Sequence, residues 1–178
     1  MTMRRDFLKL SGAAALAAAL PGCATTGGGS SGRVVVVGGG YGGATAAKYL
    51  RMWSEGGVDV TLVEPNAQFV SCPISNLVVG GSKTIADVTV SYDNLVKRHG
   101  VKLVKDTAVA VDPDKRTVTL ASGQVLPYDR LILSPGIDFM YEQLKALESA
   151  DAQARVLHSW KAGPQTVALR RQLEAMPD

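Results

Sequence analysis

The sequence predicts an α/β chain, a Rossmann-like nucleotide-binding domain with a parallel sheet and a three-stranded β-meander, incomplete at its C-terminus. Three observations predict it. Arg33–Val37 is a continuous β-branched run followed at once by G-x-G-x-x-G at Gly38, Gly40 and Gly43. Val58–Val63 is a second apolar strand, and it ends in an acid, Glu64. Short strand signals at 107–111, 117–120 and 124–126 precede another apolar run, Tyr128–Leu133, which leads to Gly136. A run buried on both faces belongs to a parallel sheet, and a glycine fingerprint between strand and helix belongs to dinucleotide binding.

The chain starts with an address. Arg4-Arg5-Asp6-Phe7-Leu8-Lys9 has the paired arginines, apolar pair and lysine of a twin-arginine signal, and the Ala/Leu-rich Leu10–Leu20 has the length of a signal h-region. Residues 1–23 are therefore read as a twin-arginine signal peptide, which implies periplasmic localisation; the alternative is an uncleaved amphipathic helix. Leu20-Pro21-Gly22-Cys23 resembles a lipobox, with Pro in place of the usual small residue, so a lipid anchor at Cys23 and ordinary cleavage nearby both stay open. Residues 24–32 form a Gly/Ser-rich tether. The remaining 33–178 are the N-terminal part of the nucleotide-binding domain.

Composition excludes other classes. The formal charge is +3 over 178 residues. Residues 1–23 hold three of the nineteen basic and one of the sixteen acidic side chains, which leaves +1 for the rest. No Lys/Arg run makes a nucleic-acid footprint, and no apolar run reaches the roughly 20 residues of a bilayer span. No His, Cys, Asp or Glu cluster has metal-ligand spacing. His99 is read as following a helix C-terminus, where a cation is favourable.

Each part of the fingerprint has a physical task. Gly38 permits the tight turn, Gly40 lets backbone amides approach a pyrophosphate, and Gly43 lets the helix that begins near Ala44 pack close to the strand. The helix N-terminus supplies the positive end of a dipole, and Glu64 is placed to accept hydrogen bonds from a ribose diol. The fingerprint does not separate FAD from NAD. An exported protein meets little free NAD(H), whereas FAD is loaded before export, so FAD is the preferred cofactor. Asp112-Pro113-Asp114-Lys115 is a turn signal inside the meander, and a helix is expected over 92–99 with a strand over 101–105.

Cys72 stands out. With Cys23 lipidated or removed, it is an unpaired cysteine in an oxidising compartment. It lies in Gln68-Phe69-Val70-Ser71-Cys72-Pro73-Ile74-Ser75-Asn76, read as a loop just after the Glu64 strand. A buried inert thiol and a disulfide to a distant partner are the plainer readings.

The segments VVVVGGGYGGATAAKYL, VTLVEPN, SCPISNLVVGG, YDRLILSPGI and HSWKAGPQTVALRRQLEAM together resemble the flavoprotein subunit of flavocytochrome c sulfide dehydrogenase. The usual Ala-Thr-Gly before the last glycine is here Ser134-Pro135-Gly136. The resemblance implies FAD covalently attached at Cys72 through a thioether to the 8α-methyl group, hydrogen sulfide as substrate, and a c-type cytochrome partner as electron acceptor. It places Gly38, Gly40, Gly43, Glu64, Cys72 and Gly136 at the cofactor and no catalytic residue within these 178. It also implies that the redox disulfide and a second nucleotide-like domain lie outside the sequence, so the chain reads as truncated and inactive alone. The expected enzyme is an FAD-dependent sulfide dehydrogenase. The alternatives are a sulfide:quinone oxidoreductase or NADH dehydrogenase-like flavoenzyme, and a non-catalytic exported lipoprotein with a nucleotide fold.

Overall fold

A computed structural model describes residues 31–177. The signal peptide, Cys23 and most of the 24–32 tether lie outside the described residues.

The central sheet is parallel and four-stranded. Its strands are β1 (Arg33–Val37), β2 (Asp59–Val63), β5 (Lys102–Val104) and β9 (Arg130–Leu133), in the order β5-β2-β1-β9. Registers run Val34 to Val60 and Val36 to Leu62 on one side of β1, and Val36 to Ile132 on the other. The β-branched run of β1 is buried because each face of the sheet is covered. Val34, Val36, Val60 and Leu62 face α1 (Tyr41–Trp53) and α3 (Asp93–His99), packing with Ala47 and Tyr92. Val35, Val37 and Val63 face the antiparallel meander of β6 (Ala108–Asp112), β7 (Thr117–Leu120) and β8 (Val125–Pro127), packing with Val118, Leu120 and Tyr128. The period-two alternation of β1 thus feeds two separate cores, and the expected α/β architecture with a meander is the observed one.

Several boundaries differ from the sequence reading. The first helix starts at Tyr41 rather than near Ala44, because Gly42 and Gly43 already lie in its first turn. Gln68–Val70, read as loop, is strand β3, paired antiparallel with β4 (Thr89–Ser91) through Phe69 and Val90. Two three-residue strands far apart in sequence carry no readable alternation, and their pairing defines them. A one-turn helix, α2 (Asn76–Val79), follows Cys72.

Local chemistry sets the ends. Helix α3 stops at Gly100, in the left-handed conformation at φ 65°, and the positive Lys97 and Arg98 sit in its last turn as the dipole favours. Arg51 clasps this end to the sheet. Its Nε donates to the His99 carbonyl at 2.9 Å and its Nη1 to those of Gly56 and Val58 at 2.8 and 2.6 Å. Beyond Gly136 the chain forms short 3₁₀ turns, then α4 (Ala150–Arg155), where the Ser149 hydroxyl accepts from the Ala152 amide. It ends in α5 (Pro164–Glu174), with proline in the first turn and Thr166 wholly buried.

The meander's hold on the sheet rests on Leu120, which is 1% exposed. Leu120→Ala is expected to lower stability by about 2–5 kcal/mol in urea unfolding, because it removes a core side chain and leaves a cavity.

Candidate functional site

The fingerprint is shaped by two backbone approaches. Gly38 has φ of +96°, and a Cβ there would overlap the carbonyl of Ser134 on the neighbouring β9 turn. A Cβ on Gly43 would overlap the carbonyl oxygen of Gly38. Only with both glycines can α1 start directly over the end of β1. By contrast, a Cβ on Gly40 would meet nothing nearer than Phe69, at 3.8 Å, so that backbone is open to a ligand. The helix has no side-chain cap at Gly40 and no acid in its first turn. Its first amides are therefore left for an anion.

Glu64 and Tyr92 secure the loop from opposite sides. Glu64 is buried, and its Oε2 accepts the Gly39 amide at 2.7 Å, while Oε1 accepts the backbone and side-chain nitrogens of Asn66 at 2.8 and 2.6 Å. A carboxylate offers about four acceptor positions, so one remains for a ligand hydroxyl. The Tyr92 hydroxyl donates to the Gly39 carbonyl at 3.1 Å. Burial, with a smaller contribution from the Glu64 charge, pushes its pKa up to about 12. Sequence reasoning assigned Tyr92 only to a helix, and nothing in its neighbours marks it as a partner of Gly39.

These groups share an open cleft of about 640 Å³ with residues distant in sequence. Its lining includes Gly40, Tyr41, Glu64 and Asn66 together with Cys72, Gly136, Trp160 and Lys161. Such a volume suits a cofactor-sized ligand. Gly38 and Gly43 support this cleft from below rather than line it. The loop bearing Cys72 is firmly tied. The Ser71 amide donates to the Val88 carbonyl at 2.8 Å, Ser71 Oγ and Tyr41 Oη are 2.5 Å apart, and Tyr41 meets the edge of Phe69 at 4.9 Å. Cys72 itself is exposed, with Sγ 2.6 Å from the Trp160 carbonyl oxygen. The inert buried thiol is thereby set aside.

Residues 160–164 return to line this cleft, held by the segment before them. Phe139 packs against His158 at 4.4 Å and Trp160 at 5.5 Å. Lys161 pairs with Asp138 at 2.5 Å, and this contact, together with the Phe139 amide, holds the Asp138 carboxyl below the usual range. Helix α5 lies against α2, with Arg170 Nη1 3.4 Å from the Val79 carbonyl. Among the described residues no group of three or more His, Cys, Asp or Glu is placed to hold a metal, and no helix is long and apolar enough to cross a membrane.

Two substitutions test the loop. Gly43→Ala should cost up to about 3 kcal/mol, since the obstacle is backbone that has to move. Tyr92→Phe should cost about 1 kcal/mol at neutral pH in chemical denaturation. The folded pKa of Tyr92 lies above the free value of about 10, so its contribution is complete below that pH and fades as pH rises toward 12. The gap between wild type and Tyr92→Phe should therefore narrow across that window; a gap of constant size would contradict the buried hydroxyl.

Comparison with known proteins extends these observations. The twin-arginine translocation pathway signal sequence profile matches residues 4–21, in accord with export to the periplasm. The flavoprotein chain of sulfide dehydrogenase [flavocytochrome c] from Chlorobaculum thiosulfatiphilum is 63% identical over 38 residues, 21% of this chain and 77% of that relative. This supports the resemblance seen in the sequence. A mitochondrial sulfide:quinone oxidoreductase from Dictyostelium discoideum is 28% identical over 107 residues, 60% of this chain and 24% of the relative. In structure, the sulfide:quinone oxidoreductase of Aquifex aeolicus matches with a TM-score of 0.64 at 24% identity, over 80% of this chain and 31% of that one, which establishes the fold. The chain thus spans about a quarter to a third of the length of these last two. The pyridine nucleotide-disulphide oxidoreductase profile matches residues 32–164, most of the described chain, and the protein belongs to that family.

Proposed function

We propose that this chain carries the FAD half-site of an exported sulfide-oxidising flavoprotein, with residues 1–23 as signal, 24–32 as tether and the nucleotide-binding domain from 33 onward. The observation that carries the reading is the single cleft joining the fingerprint, Glu64 and Cys72. FAD supplies a two-electron centre that accepts electrons from a sulfur substrate and passes them on. The residues fit it in parts. The uncapped first turn of α1 suits the pyrophosphate, and the spare acceptor position of Glu64 suits a ribose hydroxyl. Gly136 and Cys72 also line the cleft, where the exposed cysteine would be open to thioether formation with the flavin methyl. A covalent bond keeps the cofactor on a protein that has left the cytoplasm. On this reading hydrogen sulfide is the substrate of the whole enzyme and a c-type cytochrome its electron acceptor. A lipid anchor at Cys23 would place it beside the membrane.

The likeness to sulfide:quinone oxidoreductases favours a second reading, in which the same flavin site passes electrons to quinone. Reduction of added cytochrome c against a soluble quinone by the native enzyme separates the two.

The first test is the mass of the tryptic peptide Met52–Lys83 from protein isolated from its native host. The peptide is expected to carry the added mass of FAD, and Cys72→Ser is expected to reduce covalent flavin by at least about a hundredfold, since a hydroxyl is a far weaker nucleophile than a thiolate. Unmodified peptide from a chain without flavin absorbance contradicts the proposal.

A further inference from the structure

We propose a second ligand site, beside the cofactor cleft and distinct from it, that takes an organic anion: an apolar body carrying one acidic group. The inference goes beyond the flavin reading and does not depend on it.

The site is a cavity of about 470 Å³ lined by residues of α1, α3 and the β3–β4 pair. Such a volume suits a small-molecule ligand. Gly40, Tyr41, Phe69 and Tyr92 line this cavity and the cleft alike, so the two spaces share a wall. That wall is held by the contact of Tyr41 with Phe69 at 4.9 Å and by the Tyr92 hydroxyl on the Gly39 carbonyl. Glu64 and Cys72 line the cleft and not the cavity; Lys48, Val88, Leu95 and Arg98 line the cavity and not the cleft. A cofactor seated against Glu64 and Cys72 therefore occupies the first space and leaves the second open.

Two features of the lining select the ligand. The first is apolar surface. Val88 and Tyr92 are 1% and 5% exposed, and Phe69, Val90 and Leu95 belong to the same lining. A bare inorganic anion or a sugar gains nothing from burying that surface, whereas a hydrocarbon body does. The second is charge. Lys48 is half-buried and Arg98 exposed, and among the described residues neither is paired with a carboxylate. The one carboxylate in the lining, Asp87, is already engaged, with Oδ2 accepting the Thr84 amide and hydroxyl, both at 2.8 Å. Two cations thus stand against one occupied acid, so a cationic ligand is repelled, a neutral one gains nothing from the charges, and an anion is attracted. Thr45 and Asn94 add side-chain donors without a hydrogen bond of their own among the described residues.

Equilibrium dialysis of the full chain, loaded with FAD, tests the site with two probes. One is anilinonaphthalene sulfonate, an aromatic anion; the other is phenylnaphthylamine, the same rings without the sulfonate. Wild type should bind the sulfonate the more tightly. Lys48→Met and Arg98→Met remove a charge and keep an apolar stem. Each should weaken the sulfonate about fivefold, as loss of one partly exposed charged contact implies, and change the neutral probe by less than about twofold. Thr45→Trp, a bulky ring at an exposed lining position, should weaken both probes at least about fivefold. Circular dichroism matching wild type shows that the variants fold. Failure of wild type to bind the sulfonate overturns the assignment. So does equal binding of it by wild type and the double variant of Lys48 and Arg98, or equal loss of both probes in that variant. Neither cation lines the cleft, so the same differences between variants are read if the purified chain carries no flavin, and failure of the flavin reading leaves this test standing.

Discussion

The close approach of α1 to the end of β1 is the constraint on which the rest of the structure depends. It exists because neither Gly38 nor Gly43 has a side chain, and the carbonyl of Gly38 occupies the space a Cβ on Gly43 would need. Once the helix is seated, its N-terminus stands at the carboxyl edge of the sheet, and the main chain of Gly39 is held by two side chains. Glu64 takes its amide and Tyr92 its carbonyl. Both partners belong to other crossover units, Glu64 from the end of β2 and Tyr92 from the N-terminus of α3. The loop that would meet a ligand is therefore rigid because three units of the sheet converge on it, not because of its own sequence.

That convergence explains what the sequence made legible. The β-branched β1, the glycine spacing and the acid after β2 are local patterns, each with one physical meaning, and the fold and the fingerprint end of the cleft follow from them. The boundary errors have a local cause too, since a glycine-rich first turn reads as loop although its backbone is helical. Other features are relations between distant residues. Phe69 pairs with Val90 across 21 positions, and Cys72 meets Trp160 across 88. No periodicity encodes such contacts. Trp160 and Lys161 were visible only as parts of a segment typical of a resembled family, and Tyr92 only as a helix residue.

The return of the chain after Gly136 gives the cleft its second wall. Between β9 and α5 there is little regular structure, yet the segment is held by an aromatic cluster on Phe139, an ion pair from Asp138 to Lys161 and the capping of Gly163 by Thr166. Exposed pairs such as Lys161 with Asp138 contribute little on their own. Their effect here is directional: with the ring contacts, they fix a main-chain carbonyl that faces the Cys72 loop. Helix α5 then locks the arrangement by lying on α2, the turn of helix that follows the cysteine.

The cleft so formed is lined by both polar and apolar groups, which favours one long ligand over a small one. At the fingerprint end, first-turn amides without a capping side chain favour an anion. A buried carboxylate close beside them repels one unless its charge is already engaged, as the Gly39 and Asn66 donors engage that of Glu64. A phosphate at the helix and a hydroxyl at Glu64 satisfy both; a lone phosphate satisfies only the first. The same lining includes Pro135, Ile137, Trp160, Lys161 and the exposed Cys72. A dinucleotide, with a charged pyrophosphate and ribose hydroxyls, meets both demands. NAD carries the same two features, so the choice of FAD rests on the family to which the chain belongs and not on the fingerprint.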